Sequence, residues 1–105
     1  SRANRTTDDG TIASSRAELL KQVNFNDNQL DEQAAITDYP MVQQGRFWFR
    51  TVVNDDTPLQ PWPTNPDPAT PGPYPISKTV TIIVYGDAAG NNEVLRYNFI
   101  KIQAI

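Results

Sequence analysis

The chain has 105 residues, 38% hydrophobic and 20% charged, with a formal net charge of −3, which suits one domain around one modest core. It contains no cysteine and no histidine, which excludes disulfides, thiolate nucleophiles and Ser–His nucleophiles and removes the commonest zinc ligands. Its nine basic and twelve acidic residues are spread along the chain, leaving no basic stripe for nucleic acid, no polybasic amphipathic segment for anionic lipid and no apolar run long enough to span a bilayer.

Residues 1–10 are polar throughout. Nothing in them anchors to a core, so they are expected to form a frayed or solvated extension. The start at Ser1 rather than methionine leads us to expect a processed or truncated N-terminus. From Thr11, the run TIASSRAELLKQV sets Ile12, Ala13, Ala17, Leu19, Leu20 and Val23 at helical spacing on one broad face. This predicts a helix over 11–23, with Asp8, Asp9 or Thr11 as N-terminal caps and Lys21 suited to the C-terminal end of the dipole. The run NFNDN at 24–28 ends it, because Asn and Asp side chains compete for backbone hydrogen bonds. Residues 30–36 suggest a short helical turn. Residues 39–42 suggest an edge strand, where Pro40 is tolerated.

Residues 44–53 are the most aromatic run. Phe47, Phe49, Thr51 and Val53 share the face expected in the core; Arg46, Trp48, Arg50 and Val52 share the other. The plainer expectation for Arg46, Trp48 and Arg50 is a partly solvated cation–π cluster, with both arginine stems over the indole. The sharper one is a contact surface, since Trp and Arg are frequent interface anchors. Eight of the nine prolines then fall between Pro58 and Pro75, a density that forbids helix and ladder alike. Residues 54–77 are therefore expected to be a long, extended loop with turns at 65–67 and 71–72. Trp62 and Tyr74 are expected to pin that loop to the body. As an SH3 or WW ligand the segment lacks a flanking basic residue and is interrupted by aromatics.

The last quarter reads as a hairpin, with β-rich runs at 79–85 and 93–105 flanking a Gly/Asp/Asn cluster at 86–92. Val80, Ile82 and Val84 share a wholly apolar, core-directed face. In the second run Leu95, Tyr97 and Phe99 take one parity, then Ile100, Ile102 and Ala104 the other, which predicts a β-bulge or bend near Phe99 and Ile100; the alternative is a strand end covered on both sides. Asp87, Asn91, Asn92 and Glu93 offer oxygen ligands of the kind calcium takes, but their spacing fits no EF-hand and hairpin-loop chemistry accounts for them. Asp55 and Asp56 read as strand-terminating polar residues without an acid–base partner. No catalytic, cofactor or metal site follows, and no enzyme activity is expected. The element order gives α+β: a single domain over 1–105, with one N-terminal helix on a small antiparallel sheet of three to four strands.

Taken together, IASSRAELL, GRFWFRTVV and KTVTIIVYGDAAGNNEVLRYNFIKI resemble the globular part of type IV pilin-like proteins, most of all the minor pilins of type IV pili and the minor pseudopilins of type II secretion. Val80, Ile82, Val84 and Tyr85 stand near the positions of that family's alternating strand. The family's most specific mark, an N-terminal membrane helix with a prepilin-peptidase site and a following glutamate, is not in this sequence. The resemblance implies a structural subunit that joins a filament through such a helix and helps assembly at or near a tip. It implies an extracytoplasmic place, anchored in the inner membrane before assembly and then in the periplasm or at the cell surface. It also implies other pilin or pseudopilin subunits as partners, with no cofactor and no nucleic acid. The surface expected to serve is Arg46, Trp48 and Arg50 together with the loop bearing Trp62 and Tyr74. The alternative is a free-standing extracellular or phage/surface binding module that presents the proline-rich loop.

Overall fold

A computed structural model describes residues 2–69 and 71–103. Helix α1 spans Arg2–Gln22, two single-turn 3-10 helices follow at Asn28–Leu30 and Ile36–Asp38, and four strands complete the chain: β1 Val42–Gln44, β2 Phe47–Asp55, β3 Ser77–Tyr85 and β4 Glu93–Ile102. The strands form one antiparallel sheet in the order β1-β2-β3-β4, so every strand lies beside its neighbour in sequence. One helix on one face of a four-stranded sheet is the expected α+β arrangement.

The periodicities behind that expectation place the core. Ile12, Ala13 and Ala17 of α1 pack on Phe47, Phe49, Ile82 and Val84, while Leu20 joins Leu30, Tyr39, Val53 and Val80 in a second cluster. In the β2–β3 register Phe49 faces Val84 and Val53 faces Val80, so the alternate residues of both strands point at the helix. Ala13 and Ala17 are nearly without exposure, and their small side chains let the helix axis lie close to the sheet. Leu19, expected on the packed face, is half exposed.

The helix begins at Arg2 rather than Thr11, so residues expected as a frayed extension are helical and the expected caps Asp8, Asp9 and Thr11 lie within it. Once residues 12–20 are packed, extending the helix backwards needs no new nucleus. No proline interrupts 2–10, and Gly10 alone carries a penalty of about 1 kcal/mol. At the other end Lys101 Nζ donates to the carbonyl of Lys21 at 2.8 Å, placing a cation where the helix dipole and its free carbonyls favour one.

The expected helical turn over 30–36 is replaced by the two 3-10 turns flanking a non-helical stretch. Asp27 caps the first of these, accepting from Gln29 N at 2.9 Å. The edge strand starts at Val42, not at Tyr39, because Pro40 has no N–H to offer a ladder. Gly45, with φ of 62°, occupies the first of two turn residues between β1 and β2, the pattern of a type II′ hairpin. Arg46 is therefore a turn residue and leaves the strand face on which the sequence pattern placed it.

The bulge lies at the other end of β4. Tyr85 pairs with Glu93 and Val84 with Leu95, which makes Val94 the extra residue, and pairing then runs without a shift to Ile102. Leu95, Tyr97 and Phe99 take the helix side opposite Val84, Ile82 and Val80. Ile100 and Ile102 point to the other face and are 64% and 72% exposed. The ladder keeps its register and leaves two isoleucines in water, so neither the expected bulge near Phe99 nor cover on both sides occurs. Ala104 lies outside the described residues.

Candidate functional site

The face of the sheet away from α1 carries the surface expected from Trp48 and the arginines. Trp48 and Arg50 are both half-buried there, Trp48 opposite Tyr85 and Arg50 opposite Ile83. The Arg50 guanidinium lies 5.8 Å from the centroid of the Tyr85 ring, and Arg46 lies 5.7 Å from that of Phe47. The expected stacking of both arginines on Trp48 is thus corrected: the turn carries Arg46 away, and Arg50 reaches diagonally to the next strand. Arg50 and its β4 counterpart Arg96 flank Ile83 in register. With these long side chains on either side, Thr81, Ile83 and Tyr85 are buried although no helix covers them. The same face ends in exposed Ile100 and Ile102.

Trp62 and Tyr74 do not join that surface. Tyr74 O–H donates to the carbonyl of Thr64 at 2.9 Å, and its main chain bridges Gln60 with N···O distances of 2.7 and 2.9 Å. It ties the connection between β2 and β3 to itself, and it lines a cleft together with Asn26, Glu32, Asp55 and Lys78. Trp62 is 42% exposed. Asx turns at Asn65 and Asp67 and a φ of 122° at Gly72 shape the rest of that segment.

At the opposite end of β2 from Trp48 lies a polar cleft that the sequence reading did not find. Lys78 continues the core parity of Val80 and Ile82 and is 6% exposed. Its Nζ donates to the carbonyls of Leu30 at 2.8 Å and Phe25 at 3.1 Å and stands 4.7 Å from the Phe25 ring centroid. Asp55 faces it directly in register, and the Asp55 N–H donates to Glu32 Oε2 at 2.8 Å. Burial lowers the pKa of Lys78, with Asp55, Asp31 and Glu32 opposing the shift. Burial raises that of Asp55, with Lys78 opposing and the other carboxylates reinforcing. The Asp55 Oδ1 is buried with no hydrogen-bond partner among the described residues. Asp56, beside it, accepts from Ser77 Oγ at 2.7 Å and Thr79 Oγ1 at 2.8 Å. The arrangement is a clamp: one ammonium holds two loop carbonyls and fixes the stretch after α1 to the sheet. The available signal was the strand alternation itself, which sets Lys78 on the core face.

The loop residues weighed as calcium ligands are engaged locally. Asp87 accepts from the N–H groups of Asn91 and Asn92 at 3.1 and 2.9 Å, and Glu93 pairs with Arg96 at 2.7 Å. Among the described residues no group of three or more acidic side chains could hold a metal ion. No described helix is long and apolar enough to cross a membrane. Comparison with protein families, curated proteins and solved structures finds no match to this chain.

Proposed function

We propose that this domain is the globular part of a structural subunit of a pilin-like filament, a minor subunit of a type IV pilus or of a type II secretion pseudopilus. It contributes to assembly or to the tip by packing against other subunits, and it catalyses no reaction. The observation that carries the reading is the form of α1. It is one helix that lies on an antiparallel meander through Ile12, Ala13, Ala17 and Leu20 and continues towards the N-terminus as far as Arg2. Such a helix joins a sheet-bound half to a half that reaches past its first core residue, the form needed to pass from a membrane or filament core into a soluble domain. The half-buried Trp48 and the exposed Ile100 and Ile102 share the face free of α1 and are available to neighbouring subunits, in an extracytoplasmic setting.

The test is the N-terminus and intact mass of the native protein, purified from membrane and sheared-surface fractions. The expected result is a stretch of about 20 or more apolar residues upstream of Ser1. A native chain that starts near Ser1, or continues upstream into another soluble domain, overturns the filament reading. One observation favours a second reading in that event. Leu59, Trp62 and Ile76 are all exposed on the β2–β3 connection, as a free-standing module presenting that loop to a ligand requires.

A further inference from the structure

A cavity of about 260 Å³ opens between α1, the stretch after it and the outer edge of β2. It belongs neither to the Lys78 clamp nor to the Trp48 face. Arg16 of α1 projects into it. Its Nε donates to Thr51 Oγ1 and one terminal nitrogen donates to Gln29 Oε1, both at 3.4 Å. These are long for N–H···O bonds, which cluster between about 2.7 and 3.2 Å. A guanidinium carries five N–H donors in a rigid fork, and two of them meet a protein acceptor among the described residues. No ion pair engages it among the described residues, and its one ring contact, with Phe49, is distant at 6.0 Å. Burial pulls its pKa down and no neighbouring carboxylate offsets the shift. A half-buried guanidinium with only long, neutral protein contacts has donors left for an anionic ligand.

We propose that the Arg16 cavity is a binding site for a terminal monocarboxylate, seated bidentately on the guanidinium. Planar carboxylates match the arginine fork in geometry as well as charge. Thr51 and Gln29 are placed beside the fork to donate from the hydroxyl and the side-chain amide once the carboxylate takes over the guanidinium. Phe49, Val42 and Pro40 give the lining an apolar part, which fits a short aliphatic end. The volume lies below the roughly 300–1,000 Å³ of sites for drug-sized ligands, so the site takes a small acid or the last residue of a chain. Asp31 and Asp38 also line it, which disfavours a second negative charge on the ligand and rules against phosphate and dicarboxylates. Two sources supply the chemistry: a free short-chain acid and the C-terminal carboxylate of a peptide. The site stands independently of the filament reading.

The experiment is an NMR titration of the domain with butyrate, with N-acetyl-dialanine bearing a free C-terminus, and with the primary amide of each. Saturable shifts at Thr51 and at the Gln29 side chain are expected with at least one acid and with neither amide. Binding of butyrate alone assigns the free acid, and binding of the peptide assigns the chain end. Succinate should bind more weakly than butyrate. Arg16→Met, which keeps the stem and removes the fork, should weaken binding about tenfold or more; Arg16→Lys should fall between. An unchanged amide-region spectrum away from the cavity shows that each variant is folded. Shifts with no acid, equal shifts with acids and amides, or undiminished binding in folded Arg16→Met overturns the proposal.

Discussion

Replacing Tyr39 by phenylalanine isolates one buried hydroxyl. β1 covers only Phe47 to Phe49 of the β2 edge, so beyond Phe49 that edge has no strand beside it. Tyr39 fills part of the gap: its hydroxyl donates to the Val53 carbonyl at 2.7 Å and accepts from the Gln33 N–H at 2.8 Å. Phenylalanine keeps the ring and opens no appreciable cavity, so the transfer and packing contributions nearly cancel. What remains is the Val53 carbonyl, on a residue with no exposure, now without a donor. Leaving such a group unsatisfied costs about 1–3 kcal/mol, whereas the Gln33 N–H can turn to water at little cost. A loss of about 2 kcal/mol is expected, equivalent to a fall in Tm of roughly 8–16 °C for a domain of this size. Urea and thermal unfolding of Tyr39→Phe measure it, with Tyr74→Phe as the control, since the Tyr74 hydroxyl bond is solvent-exposed. A loss below about 0.5 kcal/mol, or equal losses in the two variants, would refute the argument that this hydroxyl seals the edge of β2.

The remaining predictions concern the clamp, the helix face and the outer sheet. Burial holds Lys78 below its ordinary value of 10.5. Between the folded and unfolded pKa values the unfolded chain binds more protons, so this contribution to unfolding free energy rises with pH across that window. The stability difference between wild type and Lys78→Met, followed by urea unfolding from neutral pH to pH 10, should shift in favour of wild type as pH rises; a flat difference removes Lys78 from the account. Ala17→Leu forces extra volume between α1 and the sheet and should cost about 1–3 kcal/mol, read as a lower urea midpoint at unchanged m. Ile100→Thr and Ile102→Thr should each change stability by less than about 0.5 kcal/mol, because both side chains are mostly in water; a larger loss would mean that the outer face is covered in solution.

How much was legible depended on the range of the interaction. The alternation of Phe47, Phe49 and Val53, and of Val80, Ile82 and Val84, settles the sheet faces, because strand parity is local and leaves no choice. The spacing of Ile12, Ala13, Ala17 and Leu20 settles the packed half of the helix for the same reason. The helix start was not legible, since residues 2–10 have no apolar signal and owe their helical form to the neighbouring packed turns. Arg46 was misplaced because Gly45 decides the turn, and a turn removes a residue from strand parity. In β4 the two apolar sets compete, and only the ladder to β3 decides which is left outside. The polar core was hidden for another reason: Lys78 meets Phe25 and Leu30, and Tyr39 meets Val53, across separations in sequence that no periodicity records.

The stretch between α1 and β1 has no ladder of its own and is joined to the sheet by side chains. Lys78 takes the carbonyls of Phe25 and Leu30, Glu32 takes the N–H of Asp55, and Tyr39 takes the carbonyl of Val53. Leu30 and Tyr39 also lie in the same cluster as Leu20, Val53 and Val80. Links this close together are energetically coupled, since releasing one loosens the geometry of the next. Residues 24–40 are thus set to behave as one door, with lower opening free energy than the sheet behind it. Opening of that door would uncover the margin of β2 beyond β1, and hydrogen exchange should then show residues 24–40 releasing together before the β2–β3 ladder; release of both at once would refute this.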